Sequence, residues 1–322
     1  MVDSEAMTFY GLQRDLRQAG YFATDHHDHI FEGLKTAVKQ GKLVVLSGIV
    51  GCGKTTLLRR IQDDLRRENE IRVSKSMALA KDRVTIQTLV TALFHDLSSE
   101  REVKIPTQSE HRERKLLDLI GKRKKPIVLL IDEAHDLSRK TLTELKRLNE
   151  LVEEAGEILS MVLAGHPKLK NDLSRGTMEE VGARSTFFVL EGVKGLQRRY
   201  ISWMLEACSE LPEDEILSEA AAELLSERLM TPLQIIQYLD LAFQQAYQVG
   251  QKPVSAEMIE SVLAQDINGL ESTLTRHGYS FKVVADLINV RPAEIRSFLQ
   301  GRLTANRAQE LRDEMLAVGI PL

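Results

Sequence analysis

Apolar residues along this chain fall into two kinds of pattern. Leu43-Val44-Val45-Leu46 and Ile127-Val128-Leu129-Leu130-Ile131 are unbroken aliphatic runs closed by glycine or acidic residues, the pattern of strands buried on both faces of a parallel sheet. Residues 158–163, ending at Ala164-Gly165, and 186–190, following Arg184, repeat it. Between these runs, residues 55–67, 85–97, 111–120 and 139–155 place apolar side chains three or four apart, which predicts helices. Strand and helix alternate from about residue 40 to 195, so an open α/β sheet is expected there. After Gly195 the spacing is helical only, over 197–208, 218–229 and 232–249. A break near Ile267-Asn268-Gly269 leads into four short helices punctuated by Gly278, Arg291-Pro292 and Gly301, with Ser280 placed to cap one and Pro292 to open the next. Four regions follow: a helical entry segment at 1–40, an α/β core at 41–195, a helical lid at 196–266 and a small all-helical module at 267–322. No internal repeat or low-complexity tract occurs.

Composition narrows the class. With 322 residues, 43% apolar and 28% charged, the chain has the balance of a globular protein, and disorder as its main state is excluded. No stretch approaches the ~18–20 consecutive apolar residues of a membrane helix, and the first ten residues lack the layout of a signal peptide, so no membrane association and a cytoplasmic location are expected. Cys52 and Cys208 are the two cysteines and lie far apart, which fits a reducing compartment rather than a disulfide framework. The net charge of −4 argues against a uniformly basic coat, yet Leu205 to Glu227 holds eight acids and no Lys or Arg, leaving the rest of the chain net positive.

The chemistry is concentrated at two of the run ends. Gly48-Ile49-Val50-Gly51-Cys52-Gly53-Lys54-Thr55 fits G-x-x-x-x-G-K-[ST] without mismatch, between a predicted strand and a predicted helix. Glycines let such a loop wrap its N–H groups around phosphate oxygens at a helix N-terminus. ATP is the expected ligand, held by Gly48, Gly51, Cys52, Gly53, Lys54, Thr55 and Thr56, with Lys54 on the β/γ-phosphates and the Thr55 hydroxyl on Mg²⁺. The run ending in Asp132-Glu133 has the Walker B arrangement: Asp132 to hold Mg²⁺, and Glu133 to orient and polarise the attacking water. Asp132-Glu133-Ala134-His135 also spells the signature of DEAH helicases, which need a second RecA-like domain where this chain turns helical.

With Tyr10-Gly11-Leu12, the segment 28–40, the two motifs and Val162-Leu163-Ala164-Gly165-His166-Pro167-Lys168-Leu169, residues 9–266 resemble the AAA+ ATPases. The resemblance is to the branch of the ExeA-like secretion ATPases and the transposition ATPases of the Mu B, TnsC and TniB types. It implies an AAA+ P-loop core with a parallel sheet, a helical lid and ATPase activity with ATP and Mg²⁺. It also implies a sensor at His166 and an arginine finger at Arg184, with Arg175 competing, which would complete each site only in a ring or helical filament. One departure stands out. A Pro-Arg pair is expected in the lid, but Pro232 is followed by Leu233-Gln234, leaving Gln234 as a weak substitute.

Residues 273–300 resemble a helix-turn-helix. Arg291, Arg296, Arg302 and Arg307 outnumber Glu294 around the second helix, as phosphate contacts require, although a protein-docking module with a solvated arginine face has the same signature. A second basic stretch, 101–125, carries nine Lys or Arg against four acids and includes Lys122, Arg123, Lys124 and Lys125. The expectation is a regulator of DNA transposition that oligomerises with ATP on double-stranded DNA, recruits or activates a transposase or integrase, and leaves on hydrolysis. A secretion or envelope-assembly ATPase and a nucleotide-switched protein scaffold remain as alternatives. Asp25-His26-His27-Asp28-His29 reads as a polar helix start or, less simply, a metal site.

Overall fold

The unbroken aliphatic runs form the inner strands of a five-stranded parallel sheet in a computed structural model, which describes residues 2–75, 84–98, 104–263 and 268–322. In chain order the elements are α1 (Ser4–Phe9), α2 (Asp25–Lys39), β1 (Leu43–Ser47), α3 (Lys54–Glu68), β2 (Arg72–Lys75), α4 (Ile86–Leu97), α5 (Ser109–Arg123), β3 (Ile127–Ile131), α6 (Arg139–Glu154), β4 (Leu159–Gly165), α7 (Pro167–Leu173), α8 (Glu179–Gly182) and β5 (Ser185–Val189). They continue with α9 (Gln197–Cys208), α10 (Glu213–Ile216), α11 (Glu219–Arg228), α12 (Pro232–Gln248), α13 (Ala256–Val262), α14 (Leu270–Arg276), α15 (Phe281–Leu287), α16 (Pro292–Leu299) and α17 (Ala305–Ala317). Arg101 and Glu102 of the basic stretch, and the expected boundary at 266/267, lie outside the described residues. Among the described residues no helix is long and apolar enough to cross a membrane.

The chain divides into two compact units, one of residues 25–48 and 54–190, the other of 1–24, 49–53 and 191–322. In the first unit the sheet order is β2-β3-β4-β1-β5. Every residue of β1, β3 and β4 is buried, which is why these strands carry no polar alternation. The edges differ. β5 is half-buried, and β2 is a four-residue Arg-Val-Ser-Lys strand whose buried Ser74 donates to Asp96 at 2.6 Å. The register sets Ser47 beside Gly165 and Ile131 beside Leu163, so at the carboxyl edge β1 and β4 finish level while β3 stops two residues short of them. In an open parallel sheet that edge is where ligands bind. Leu89, Leu93 and Phe94 of α4, Leu142 and Leu145 of α6 and the strands form one apolar cluster.

In the second unit α1 and the lid helices share a core: Tyr10 meets Phe243 with ring centroids 4.7 Å apart and its hydroxyl donates to the Gln251 carbonyl at 2.7 Å. Arg17 pairs with the buried Asp240 at 2.8 Å. The first forty residues are therefore divided, because Tyr10 and Leu12 bury in this core while the apolar stripe of α2 buries in the sheet unit. Residues 270–322 hold a smaller cluster of Leu274, Tyr279, Val284, Ile295, Phe298, Leu311 and Met315. Ser280 caps α15 by accepting from Val283 N, and Pro292 occupies the first turn of α16.

Candidate nucleotide site

The motif Gly48–Thr55 is shared between the units, Ile49–Gly53 going with the helical one and Gly48, Lys54 and Thr55 with the sheet. In the sheet unit, Lys54 is 6% exposed and its Nζ donates to the Gly48 carbonyl at 2.8 Å, a buried cation folded back on its own loop. The Thr55 hydroxyl donates to Asp132 Oδ2 at 2.8 Å, and Asp132 Oδ1 accepts from Glu133 N at 3.0 Å. A hydroxyl and a carboxylate brought this close are hard oxygen donors of the kind magnesium takes, so Thr55 and Asp132 fit that ion.

Glu133 follows the end of β3 in the left-handed conformation, with φ 55° and ψ 36°, unusual for a residue with a side chain. Its carboxylate faces two histidines, His135 Nδ1 at 3.3 Å and His166 Nε2 at 3.8 Å from Oε2. The imidazoles stack at 3.7 Å between centroids and 24° between planes. Burial holds the His135 pKa below its ordinary value against the opposing pull of Asp136 and Glu133. Gly165, at the end of β4, is required here, since a Cβ would sit 2.9 Å from Leu169 Cδ2 and 3.1 Å from the His135 amide nitrogen. Pro167 then starts α7 directly after His166. Ligand atoms of Glu133, His135 and His166 lie within 4.8 Å of one another and could take a divalent ion. Stacked rings aim their nitrogens along near-parallel planes, so one ring must turn before both serve the same ion. The segment 25–29 opens α2 instead: His27 is buried and Asp28 pairs with Arg60 at 2.7 Å.

In the helical unit, Gly51 has φ +79° and a Cβ there would lie 2.5 Å from Leu233 Cβ and 2.9 Å from Thr231 Oγ1. Leu233 N donates to the Gly51 carbonyl at 3.4 Å, and Val50 N donates to the Arg276 carbonyl at 3.0 Å. Cys52 is 1% exposed, with Gly192 against it. Gln234 is committed to the start of α12, where its Oε1 accepts from Met230 N at 3.0 Å and Thr231 N at 3.2 Å in a capping box. These bonds occupy only the carboxamide oxygen of Gln234, the acceptor, and not its Nε2 donors.

Arg184 is exposed just before β5 and pairs with Glu150, and Arg175 lies 3.9 Å from Asp172. The basic positions separate by environment. Arg123 donates to the Leu97 carbonyl and Lys125, itself exposed, to the Asn69 carbonyl at 2.7 Å, while Lys122 and Lys124 are exposed as well. Arg307 is enclosed by Glu294 at 2.7 Å, Glu310 at 2.8 Å and Glu314 at 3.6 Å. Arg296 lies over the Phe281 ring at 4.7 Å, and Arg291 and Arg302 are exposed at the two ends of α16.

The chain is similar to several known proteins. Residues 37–173 match the family described as AAA domain. General secretion pathway protein A of Aeromonas hydrophila is 30% identical over 168 residues, which is 49% of this chain, and the chain spans 28% of that relative's length. Among solved structures, Cdc6p from Pyrobaculum aerophilum superposes with a TM-score of 0.57 at 13% identity, covering 98% of this chain and 90% of that one. The Aeropyrum pernix ORC1 protein, solved in complex with DNA, superposes at 0.54 with 14% identity, covering 97% and 87%. The fold is that of the AAA+ P-loop ATPases.

Proposed function

We propose that this AAA-domain P-loop ATPase is an ATP-governed DNA-binding switch serving DNA transposition. ATP enters the loop 48–55, with Gly51, Gly53 and the amides through Thr56 on its phosphates, Lys54 neutralising the terminal oxygens, and Thr55 with Asp132 holding Mg²⁺. Bound magnesium neutralises charge developing on the phosphate oxygens. Glu133 is the base that aligns water, with His135 beside it held toward its neutral form by burial. His166, on the same carboxylate, orients it and senses the terminal phosphate. Arg184, exposed on the sheet unit, reaches a neighbouring copy in a ring or filament, so assembly and hydrolysis become linked.

The observation that carries the DNA half is the exposure of Arg296 on α16 and of Arg291 and Arg302 beyond its two ends, while Ile295 and Phe298 hold the helix to its own small core. A second helix with basic residues outward and apolar residues inward is how a helix-turn-helix meets phosphates and a groove. Lys122 and Lys124 add positive charge to the ATPase core. ORC1, of the same fold, is held on DNA in its solved complex. In this reading ATP assembles the protein on double-stranded DNA, the assembly recruits a transposase, and hydrolysis releases it.

Fluorescence anisotropy on labelled duplex tests it. Retention is expected with ATP, lost in Lys54→Ala, and weakened steeply between low and moderate salt. DNA binding indifferent to nucleotide and to Lys54→Ala would remove the proposal. The similarity to general secretion pathway protein A favours a second reading, an envelope-assembly ATPase. Co-sedimentation with membranes without DNA retention would support that instead.

A further inference from the structure

Arg276, at the end of α14, is 9% exposed, and its guanidinium lacks the partner that burial demands. Nη2 donates to Thr273 Oγ1 at 3.2 Å, while Nη1 is buried without a hydrogen-bond partner, and among the described residues no carboxylate pairs with it. Burial pushes its pKa down. A buried cation with no counterion is costly, and native proteins keep one chiefly where an anion arrives.

The backbone says where. The Arg276 carbonyl accepts from Val50 N at 3.0 Å, inside the phosphate loop and within the same compact unit. Val50 is one residue, about 3.8 Å in Cα separation, from Gly51, whose neighbours in the glycine-rich turn are expected to wrap the phosphates. Arg276 also lines a cleft with Gln234, next to the Leu233 that packs on Gly51. Position 233 is leucine where the resemblance led to an arginine, so the lid helix α12 itself brings no cation at that point.

We infer that Arg276 is a nucleotide contact, its missing counterion being the terminal phosphate of the nucleoside triphosphate held by the loop. This deepens the reading of 48–55 as a nucleotide site and rests on it. It also gives the C-terminal module a stake in nucleotide state: α14 opens that module, and its last residue touches the loop through the backbone and the phosphate through the side chain. Loss of the phosphate leaves the guanidinium uncompensated again, which destabilises the closed arrangement of α14 on the loop.

Binding of fluorescent ATP and ADP to the full chain, with the thermal midpoint of the nucleotide-free protein, tests this in wild type, Arg276→Met and Arg276→Lys. A charge-assisted contact to the terminal phosphate predicts ATP weakened roughly tenfold or more in Arg276→Met, with ADP within about twofold of wild type. Arg276→Lys should recover part of the loss. Without nucleotide, Arg276→Met should melt at or above the wild-type temperature, because a methionine of similar length relieves the uncompensated charge. Equal weakening of ATP and ADP, an unchanged ATP affinity, or a lower nucleotide-free midpoint with both affinities retained would overturn the inference. Inorganic phosphate competing equally against ATP and ADP would place the anion in the cleft rather than on the nucleotide, and overturns it too. Failure of wild type to bind either nucleotide would instead defeat the nucleotide reading itself, a result distinguishable from an indifferent Arg276→Met.

Discussion

Glu133 combines two properties that one substitution series separates. Its backbone is left-handed at φ 55° and ψ 36°, and its carboxylate faces His135 and His166. For a residue with a Cβ that conformation costs roughly 1–2 kcal/mol, which glycine escapes. Glycine in turn loses about 0.5–1 kcal/mol more backbone entropy on folding than alanine. Glu133→Gly should therefore exceed Glu133→Ala in stability by about 0.5–1 kcal/mol, although both lack the carboxylate. For a body of this size that is a midpoint difference of about 2 °C. Urea denaturation of the two variants side by side reads the difference. ATP turnover reads the other property: Gly, Ala and Gln at 133 should all lose on the order of 10²-fold or more in rate, and Glu133→Gln should retain ATP and hold assemblies on DNA. A glycine variant less stable than the alanine one would refute the backbone argument. Turnover near wild type in Glu133→Gln would refute the assignment of the base.

Three further outcomes follow from the geometry. Gly51→Ala must place a Cβ 2.5 Å from Leu233 Cβ at φ +79°, so it should cost about 2 kcal/mol or more of thermal stability and abolish ATP binding, measured by melting and by nucleotide fluorescence. The folded pKa of His135 lies below its ordinary 6.5, so the folded state resists protonation; its contribution to stability is full above about pH 6.5 and declines as pH falls below it. His135→Gln should flatten denaturation midpoints measured across that window. Arg291→Ala with Arg302→Ala should weaken duplex binding and reduce the salt slope by about two, while Arg307→Ala should chiefly lower stability, as anisotropy over a salt series and melting will distinguish.

Much of the sheet, and the place of the motif residues at its edge, was legible because both are written locally. β1, β3 and β4 are aliphatic from end to end since both their faces are covered, and the residues at their tips are read directly from 48–55, 132–133 and 166. β2 escaped because an edge strand of Arg-Val-Ser-Lys needs no apolar run, and its one buried hydroxyl is satisfied by Asp96, twenty-two residues on. α13 escaped because Ile259 is its one fully buried residue, so no apolar stripe marks it. Counting charges located basic stretches but could not tell Lys122, which is exposed, from Arg123, which is spent on a carbonyl, or Arg302 from Arg307 inside three acids. Pairing across space decides what a charge can do. The same holds for Arg276: the bond from Val50 N to its carbonyl joins residues far apart in sequence, and nothing in either stretch announces it.

The sealing of both thiols has a practical consequence. Cys52 is pressed beneath Gly192, and Cys208 is equally buried, its sulfur 3.7 Å from the Asp15 carbonyl and its pKa raised by burial. Both sulfurs are closed off from solvent, so maleimide reagents and mild oxidants should pass over the native protein without touching the phosphate loop. The unmodified sequence is thus already a silent background for site-directed labelling. A single cysteine at exposed Gln300, beside the arginines of α16, would carry a dye that reports duplex contact directly, with no cysteine-free parent to be made first.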